Sequence, residues 1–312
     1  RRRVARFIDA PSENEVVFVR GASEGINLVA HSWGCAHLKA SDRILLSQLE
    51  HHSNIVPWQM VAERTGAQID VVPLTQDGVI DLDAMEAMIR PEHKIVALAH
   101  VSNVLGSVLD VRRAAQIAHS VGALLLVDGC QAAPRLAIDV QALDCDFYLF
   151  SGHKLYAPFG AGVLVGRRDW LDTAEPYLAG GGAVREVTLD GAEWACAPAR
   201  HEAGTPNVLG VAALAAACDT LGGFDTEAAA RHEEELCRLL VDGLSGIEGV
   251  EILKLWDDSQ DCVGIVTFTV DGYEPGEVAS YLSAEHGIGV RDGRFCAHPL
   301  LGRLGASAGA IR

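Results

Sequence analysis

The chain has 312 residues, enough for a large domain with a smaller one attached. Hydrophobic residues make up 49% and charged residues 21%, ample for a packed core. The net charge of −17 argues against a nucleic-acid or anionic-membrane surface, since both need basic patches, and no apolar segment reaches membrane-spanning length.

The chain opens at Arg1-Arg2-Arg3 without a methionine and shows no signal peptide. Its cysteines are Cys35, Cys130, Cys145, Cys196, Cys218, Cys237, Cys262 and Cys296. They are scattered and lack C-x-x-C spacing, so neither a zinc site nor a disulfide framework is expected. Most are expected to be small buried apolar residues in a reducing cytoplasm.

A strand is predicted over 16–19, and Gly21-Ala22-Ser23-Glu24-Gly25-Ile26-Asn27 leads from it into a helix over 24–38. Free N–H groups at a helix start beside a serine make a phosphate cradle, although Ser23 also fits an ordinary N-cap. A second strand, 44–47, precedes His51-His52-Ser53-Asn54 and a helix over 54–65. A histidine there can stack on a flat cofactor and move protons near neutral pH; a solvated pair is the plainer alternative. Strand 69–73, helix 82–89 and strand 95–100 follow, the last leading to Asn103. Helix 111–121 then precedes strand 124–128, which ends in Asp128-Gly129-Cys130-Gln131. Strand 147–150 runs into Ser151-Gly152-His153-Lys154, and strand 162–165 comes next. Gly180-Gly181-Gly182 reads as a loop, and Gly204-Thr205-Pro206-Asn207 opens a helix with Pro206 in its first turn.

This βαβ rhythm predicts an α/β fold with a mostly parallel sheet covered on both faces. Ligands bind such sheets at the carboxyl ends of the strands, where Ser23, His51, Asn103, Asp128 and Lys154 all fall. After Gly222-Gly223 the pattern changes to helix 227–244, strands 250–253 and 263–270, helix 275–286 and strand 288–291. The expectation is a large domain over 1–222 and a small α+β domain over 223–312.

Lys154 and Asp128 are the most telling pair. A lysine at the end of a buried strand can form an imine, and an acid can pair with a pyridine nitrogen and keep it protonated. That combination is what pyridoxal 5′-phosphate (PLP) needs. Gln131 can donate to the phenolate oxygen of such a cofactor, and Ser151 and His153 can contact its phosphate. Cys296 follows Arg291-Asp292-Gly293-Arg294-Phe295, an electropositive and partly exposed setting that suits a nucleophilic thiol. Arg312 suits carboxylate recognition.

Seven stretches, in this order, resemble the class V aminotransferase superfamily of fold-type I PLP enzymes, and more closely the cysteine desulfurase and selenocysteine lyase family. They are residues 18–28, Glu50 to Trp58, His100 to Gly106, Asp128-Gly129-Cys130-Gln131, Ser151-Gly152-His153-Lys154, Glu202-Ala203-Gly204-Thr205-Pro206-Asn207 and 291–296. The resemblance implies that Lys154 forms the imine, Asp128 pairs with the pyridinium, Gln131 meets the phenolate oxygen and His51 stacks on the ring. It implies that Ser23, Ser151 and His153 hold the phosphate, with Thr205 supplied by the other subunit of a homodimer. Asn103 contacts cofactor or substrate. Arg291 and Arg312 bind the substrate carboxylate, and Cys296 takes sulfur as a persulfide.

The implied activity removes sulfur from L-cysteine to give L-alanine and passes it to an acceptor protein, as in iron–sulfur cluster assembly; a selenocysteine lyase, which removes selenium from selenocysteine, is an alternative. A C–S lyase, epimerase, aminotransferase or non-catalytic PLP-fold fragment stays open as an alternative. Family members extend further at both ends. Where they carry His-His before the reactive cysteine, this chain has Arg294-Phe295. Tyr156-Ala157-Pro158 and Gly182-Ala183-Val184 also depart from the family pattern.

Overall fold

The protein is described from a computed structural model covering residues 1–76, 78–253 and 263–312. Its first two-thirds hold strands β1 (Val16–Val19), β2 (Arg43–Ser47), β3 (Gln68–Val72), β4 (His93–Ala99), β5 (Leu124–Asp128), β6 (Phe147–Ser151) and β7 (Gly162–Gly166). They form one sheet in the order β1-β7-β6-β5-β4-β2-β3. β7 runs antiparallel to both its neighbours, and the remaining pairs are parallel. Leu125, Leu126 and Val127 of β5 and Leu149 and Phe150 of β6 are fully buried, as unbroken apolar runs require in a sheet covered on both faces.

The covering helices are α1 (Arg2–Phe7), α2 (Ala22–Val29), α3 (Cys35–His37), α4 (Val56–Thr65), α5 (Leu82–Met88), α6 (Val111–Ser120), α7 (Val140–Leu143) and α8 (Arg168–Thr173). The single helix expected over 24–38 is interrupted by a π-helical turn, Ala30–Gly34. Gly34 lies there against Val61, where an added Cβ would come within 3.2 Å of its side chain. The helix expected from 54 starts at Val56, after a 3-10 turn over His52–Asn54.

A short hairpin, β8 (Val184–Val187) with β9 (Ala192–Trp194), follows the glycine loop and has no counterpart in the sequence expectation. α9 (Val208–Leu221) begins one residue after its N-cap Asn207, so Pro206 lies outside the helix rather than in its first turn. The Asn207 side chain takes the Gly210 N–H, which satisfies a donor the helix cannot use itself.

Beyond residue 222 stand α10 (Thr226–Ser245), β10 (Val250–Ile252), β11 (Phe268–Val270), α11 (Pro275–His286), β12 (Asp292–Gly293), α12 (His298–Arg303) and β13 (Ala310–Ile311). The four strands form an antiparallel sheet in the order β10-β11-β13-β12. Two expectations need correction. Residues 263–267 are not strand, and β11 starts at Phe268. Residues 288–291 are not strand either, because the Ile288 N–H turns back to Leu282 to close α11. Pairing begins at Arg291, whose backbone exchanges hydrogen bonds with Arg312 in both directions.

Candidate active site

The carboxyl ends of the parallel strands open onto a cavity of about 210 Å³. Ten of the twelve anticipated site residues line it: Ser23, His51, Asn103, Asp128, Gln131, Ser151, His153, Lys154, Arg291 and Arg312. β1 leads to Ser23 through α2, β2 leads to His51, β4 to Asn103, β5 to Asp128 and β6 to Ser151 and Lys154.

Lys154 ends the 3-10 turn that continues β6, and among the described residues its ammonium has no hydrogen-bond or ion-pair partner. Asp128 is buried, with one carboxylate oxygen accepting the Cys130 N–H at 3.0 Å. Gln131 accepts from Arg135 through its amide oxygen at 3.0 Å, which leaves its NH₂ available. Ser151 Oγ accepts the Ala22 N–H at 2.8 Å and so ties β6 to the start of α2. The Ser23 and Ser53 hydroxyls meet at 2.6 Å.

His51 Nδ1 accepts the Ser53 N–H at 3.1 Å, which leaves the ring proton on Nε2. Burial lowers its proton affinity, and the Asp128 charge partly restores it. The ring is therefore neutral near pH 7. His153 is exposed and lies against Phe159, with ring centroids 5.4 Å apart.

Asn103 commits its amide nitrogen to structure, while among the described residues its amide oxygen has no hydrogen-bond partner. Its side-chain NH₂ donates to the Phe295 carbonyl at 2.8 Å, and its backbone carbonyl accepts from the Arg312 guanidinium. That guanidinium also lies over the Phe295 ring, 5.2 Å from its centroid. Burial, followed by Arg291, lowers the proton affinity of Arg312. Three cations, Lys154, Arg291 and Arg312, thus share one small cavity with the Asp128 carboxylate. This charge set suits a ligand that carries several acidic groups.

Two anticipated residues stand apart. Cys296 is half-buried at the edge of the cavity rather than in its lining, and its carbonyl accepts the His52 N–H at 2.8 Å. Thr205 lies in a separate exposed groove with Arg20, Gly160 and Asn207. The expectation that most cysteines are buried is also corrected. Cys130 and Cys218 are buried, Cys35, Cys145, Cys237 and Cys296 are intermediate, and Cys196 is exposed. Cys262 lies outside the described residues.

Sequence reasoning missed Cys130, Ser53 and Phe295 in the lining. Cys130 and Ser53 sit inside motifs already singled out. Burial pushes the Cys130 thiol up to about 12, which makes it inert. Glu50, beneath the cavity, was missed as well. It is fully buried and accepts from Ser47 Oγ, Asn54 Nδ2 and the Ala99 N–H.

The sequence profile of the Aminotransferase class-V family matches residues 1–312. A probable cysteine desulfurase of Halalkalibacterium halodurans is 44% identical over 310 residues, covering 99% of this chain and 75% of that protein. The crystal structure of the Escherichia coli cysteine desulfurase CsdA is 40% identical, with a TM-score of 0.94 over 99% of this chain and 76% of its own. A cysteine desulfurase of Thermococcus onnurineus is 37% identical, with a TM-score of 0.93 over the same shares. The chain belongs to the class-V aminotransferase family, and the relatives it matches at this level are cysteine desulfurases.

Proposed function

We propose that the chain is a PLP-dependent cysteine desulfurase that converts L-cysteine to L-alanine and leaves the sulfur as a persulfide on Cys296. The observation that carries this reading is the convergence of a lysine amine without a partner among the described residues, Lys154, and a buried carboxylate, Asp128, on one cavity beside the Cys296 turn. The residues fit the cofactor: free Lys154 and Gln131 nitrogens, an acid for the ring nitrogen, and hydroxyls at the start of α2 for a phosphate. PLP, when bound, supplies an imine-forming carbonyl and an electron-withdrawing ring.

Lys154 is the amine that holds the cofactor, with Asp128 at the ring nitrogen and Gln131 at the phenolate oxygen. Ser23, Ser151 and His153 take the phosphate. Neutral His51 offers a face for stacking, and with Lys154 it can carry the α-proton. Arg291 and Arg312 hold the substrate carboxylate, and Asn103 fixes Arg312. The Cys296 sulfur bonds to the substrate sulfur as the carbon–sulfur bond breaks. The β-carbon gains the proton that the thiol gives up, so the carbon is reduced while Cys296 is oxidised to the persulfide level. An acceptor protein then removes that sulfur.

Residues 1–222 make up the cofactor-binding unit in this reading, and 223–312 make up a smaller one that carries Cys296. Thr205 serves the phosphate of a second subunit, which makes the enzyme a homodimer. Cys35, Cys130, Cys145, Cys196, Cys218 and Cys296 are free thiols, as a reducing cytoplasm maintains them.

The test is reconstitution with PLP and addition of cysteine, reading alanine, visible absorbance and alkylation-trapped persulfide. Cys296→Ala should keep the absorbance and lose alanine formation by at least about a hundredfold. Lys154→Ala should lose both. Extra sulfur mapped to Cys130, or desulfuration at the parent rate by the Cys296 variant, overturns the assignment.

A further inference from the structure

Phe295 and Cys296 both adopt left-handed backbone, with φ of 52° and 55°. Side chains with a Cβ resist that conformation, so contacts from outside must hold the turn. On one side, Asn103 bonds the Phe295 carbonyl and Arg312 covers the Phe295 ring. On the other side stands His52. Its N–H donates to the Cys296 carbonyl at 2.8 Å, and its Nε2 accepts the His298 N–H at 3.3 Å. Its ring meets the His298 ring edge-on, with centroids 4.3 Å apart and planes at 88°. His298 is the first residue of α12, so its N–H has no partner inside the helix. The His52 imidazole therefore caps α12 and fastens the residue two places after Cys296.

We propose that His52 is a positioning residue for Cys296, with a neutral imidazole that latches the 295–298 turn to the turn bearing His51. The proposal rests on the reading of Cys296 as the sulfur carrier. His51 then places the cofactor ring and its neighbour His52 places the nucleophile, so one turn sets the distance between them. The latch needs a lone pair on Nε2, and protonation there removes it. Burial first, and His298 second, lower the proton affinity of His52 below its ordinary value of 6.5. His51 faces it from its own turn at 6.3 Å, and α2 reaches the same turn through the neutral Ser23–Ser53 hydroxyl pair. Among the described residues no carboxylate pairs with His52. The latch is thus closed at pH above the lowered value and opens as pH falls through it.

The experiment is amide hydrogen exchange at His298 in the PLP-loaded protein between pH 7.5 and 5, corrected for intrinsic rates. Protection should fall about tenfold on acidification, as expected for one lost hydrogen bond. His52→Gln, which keeps an acceptor without titrating, should stay protected throughout. His52→Leu should be unprotected at both ends and should lower kcat for desulfuration while leaving KM for cysteine near the parent value. Constant protection in the parent protein overturns the latch, and that arm needs no variant to fold. If exchange behaves as stated while Cys296→Ala still desulfurates, the latch stands and the sulfur-carrier reading fails.

Discussion

Glu50 has no exposed surface, yet three donors converge on its carboxylate: Ser47 Oγ, Asn54 Nδ2 and the Ala99 N–H. Asn54 in turn accepts from Trp58 Nε1 at 3.1 Å, so the carboxylate fastens the His51 turn to β2, β4 and α4. Burial outweighs the donors and pushes its pKa from 4.5 up to about 7. The folded state therefore holds this proton more tightly than the unfolded chain does. The resulting stabilisation is full below pH 4.5 and is lost as pH rises through about 7. Unfolding free energy should fall between pH 5 and 8 by about 2.5 kcal/mol more in the parent protein than in Glu50→Gln. Urea titrations of both proteins at both pH values check this, and an equal fall in unfolding free energy in the two refutes it. Lys154 and Asp128 were legible in the sequence because each closes an apolar strand with a reactive group. The role of Glu50 was not, because it depends on Ala99, 49 positions away.

Strand ends decide what the site presents. Gly129 follows β5, and a Cβ there would lie 2.3 Å from the Tyr148 ring and hydroxyl. Tyr148 cannot move away easily: it is buried in β6, and its hydroxyl meets His100 Nδ1 at 3.1 Å. Gly129→Ala should therefore overpack the β5–β6 junction and cost about 1–3 kcal/mol. The shift at neighbouring Asp128 should also weaken PLP retention, which thermal melts with and without cofactor can separate. Loss of stability without loss of PLP affinity would show that Asp128 keeps its place. The parallel core was legible because β4, β5 and β6 carry unbroken apolar runs that only a doubly covered sheet needs. Short elements such as α7, the β8–β9 hairpin and α12 carry too few residues for a periodic signal. Residues 288–291 read as strand from Ile288 and Val290, but their backbone is taken by the end of α11 and by Arg312. The His52–His298 contact spans 246 positions, and no local pattern announces it.

In the proposed homodimer, the surface around Thr205 accounts for its place away from its own cavity. Tyr156 and Phe159 on the loop after Lys154 are 81% and 84% exposed, and Val208 and Leu209 at the start of α9 are 64% and 85% exposed. The Asn207 side chain donates to the Gly160 carbonyl at 2.8 Å, which ties the loop after Lys154 to the start of α9, with Thr205 beside it. Contiguous exposed apolar surface of this kind marks an interface. A second copy fits best, because each subunit would offer the same patch about a two-fold axis and lend its Thr205 to the other. The net charge of −17 does not oppose this, since repulsion between surface charges is screened beyond about 10 Å at 0.1 M salt. Light scattering at micromolar concentration should therefore give twice the 33.2 kDa chain mass. Leu209→Glu would bury a charge in the patch and should shift the protein towards monomer while lowering PLP affinity, because the partner threonine leaves with the subunit. A monomeric parent protein with full PLP occupancy would refute the shared site. A Leu209 variant that turns monomeric yet binds PLP as tightly as the parent would separate the interface from Thr205.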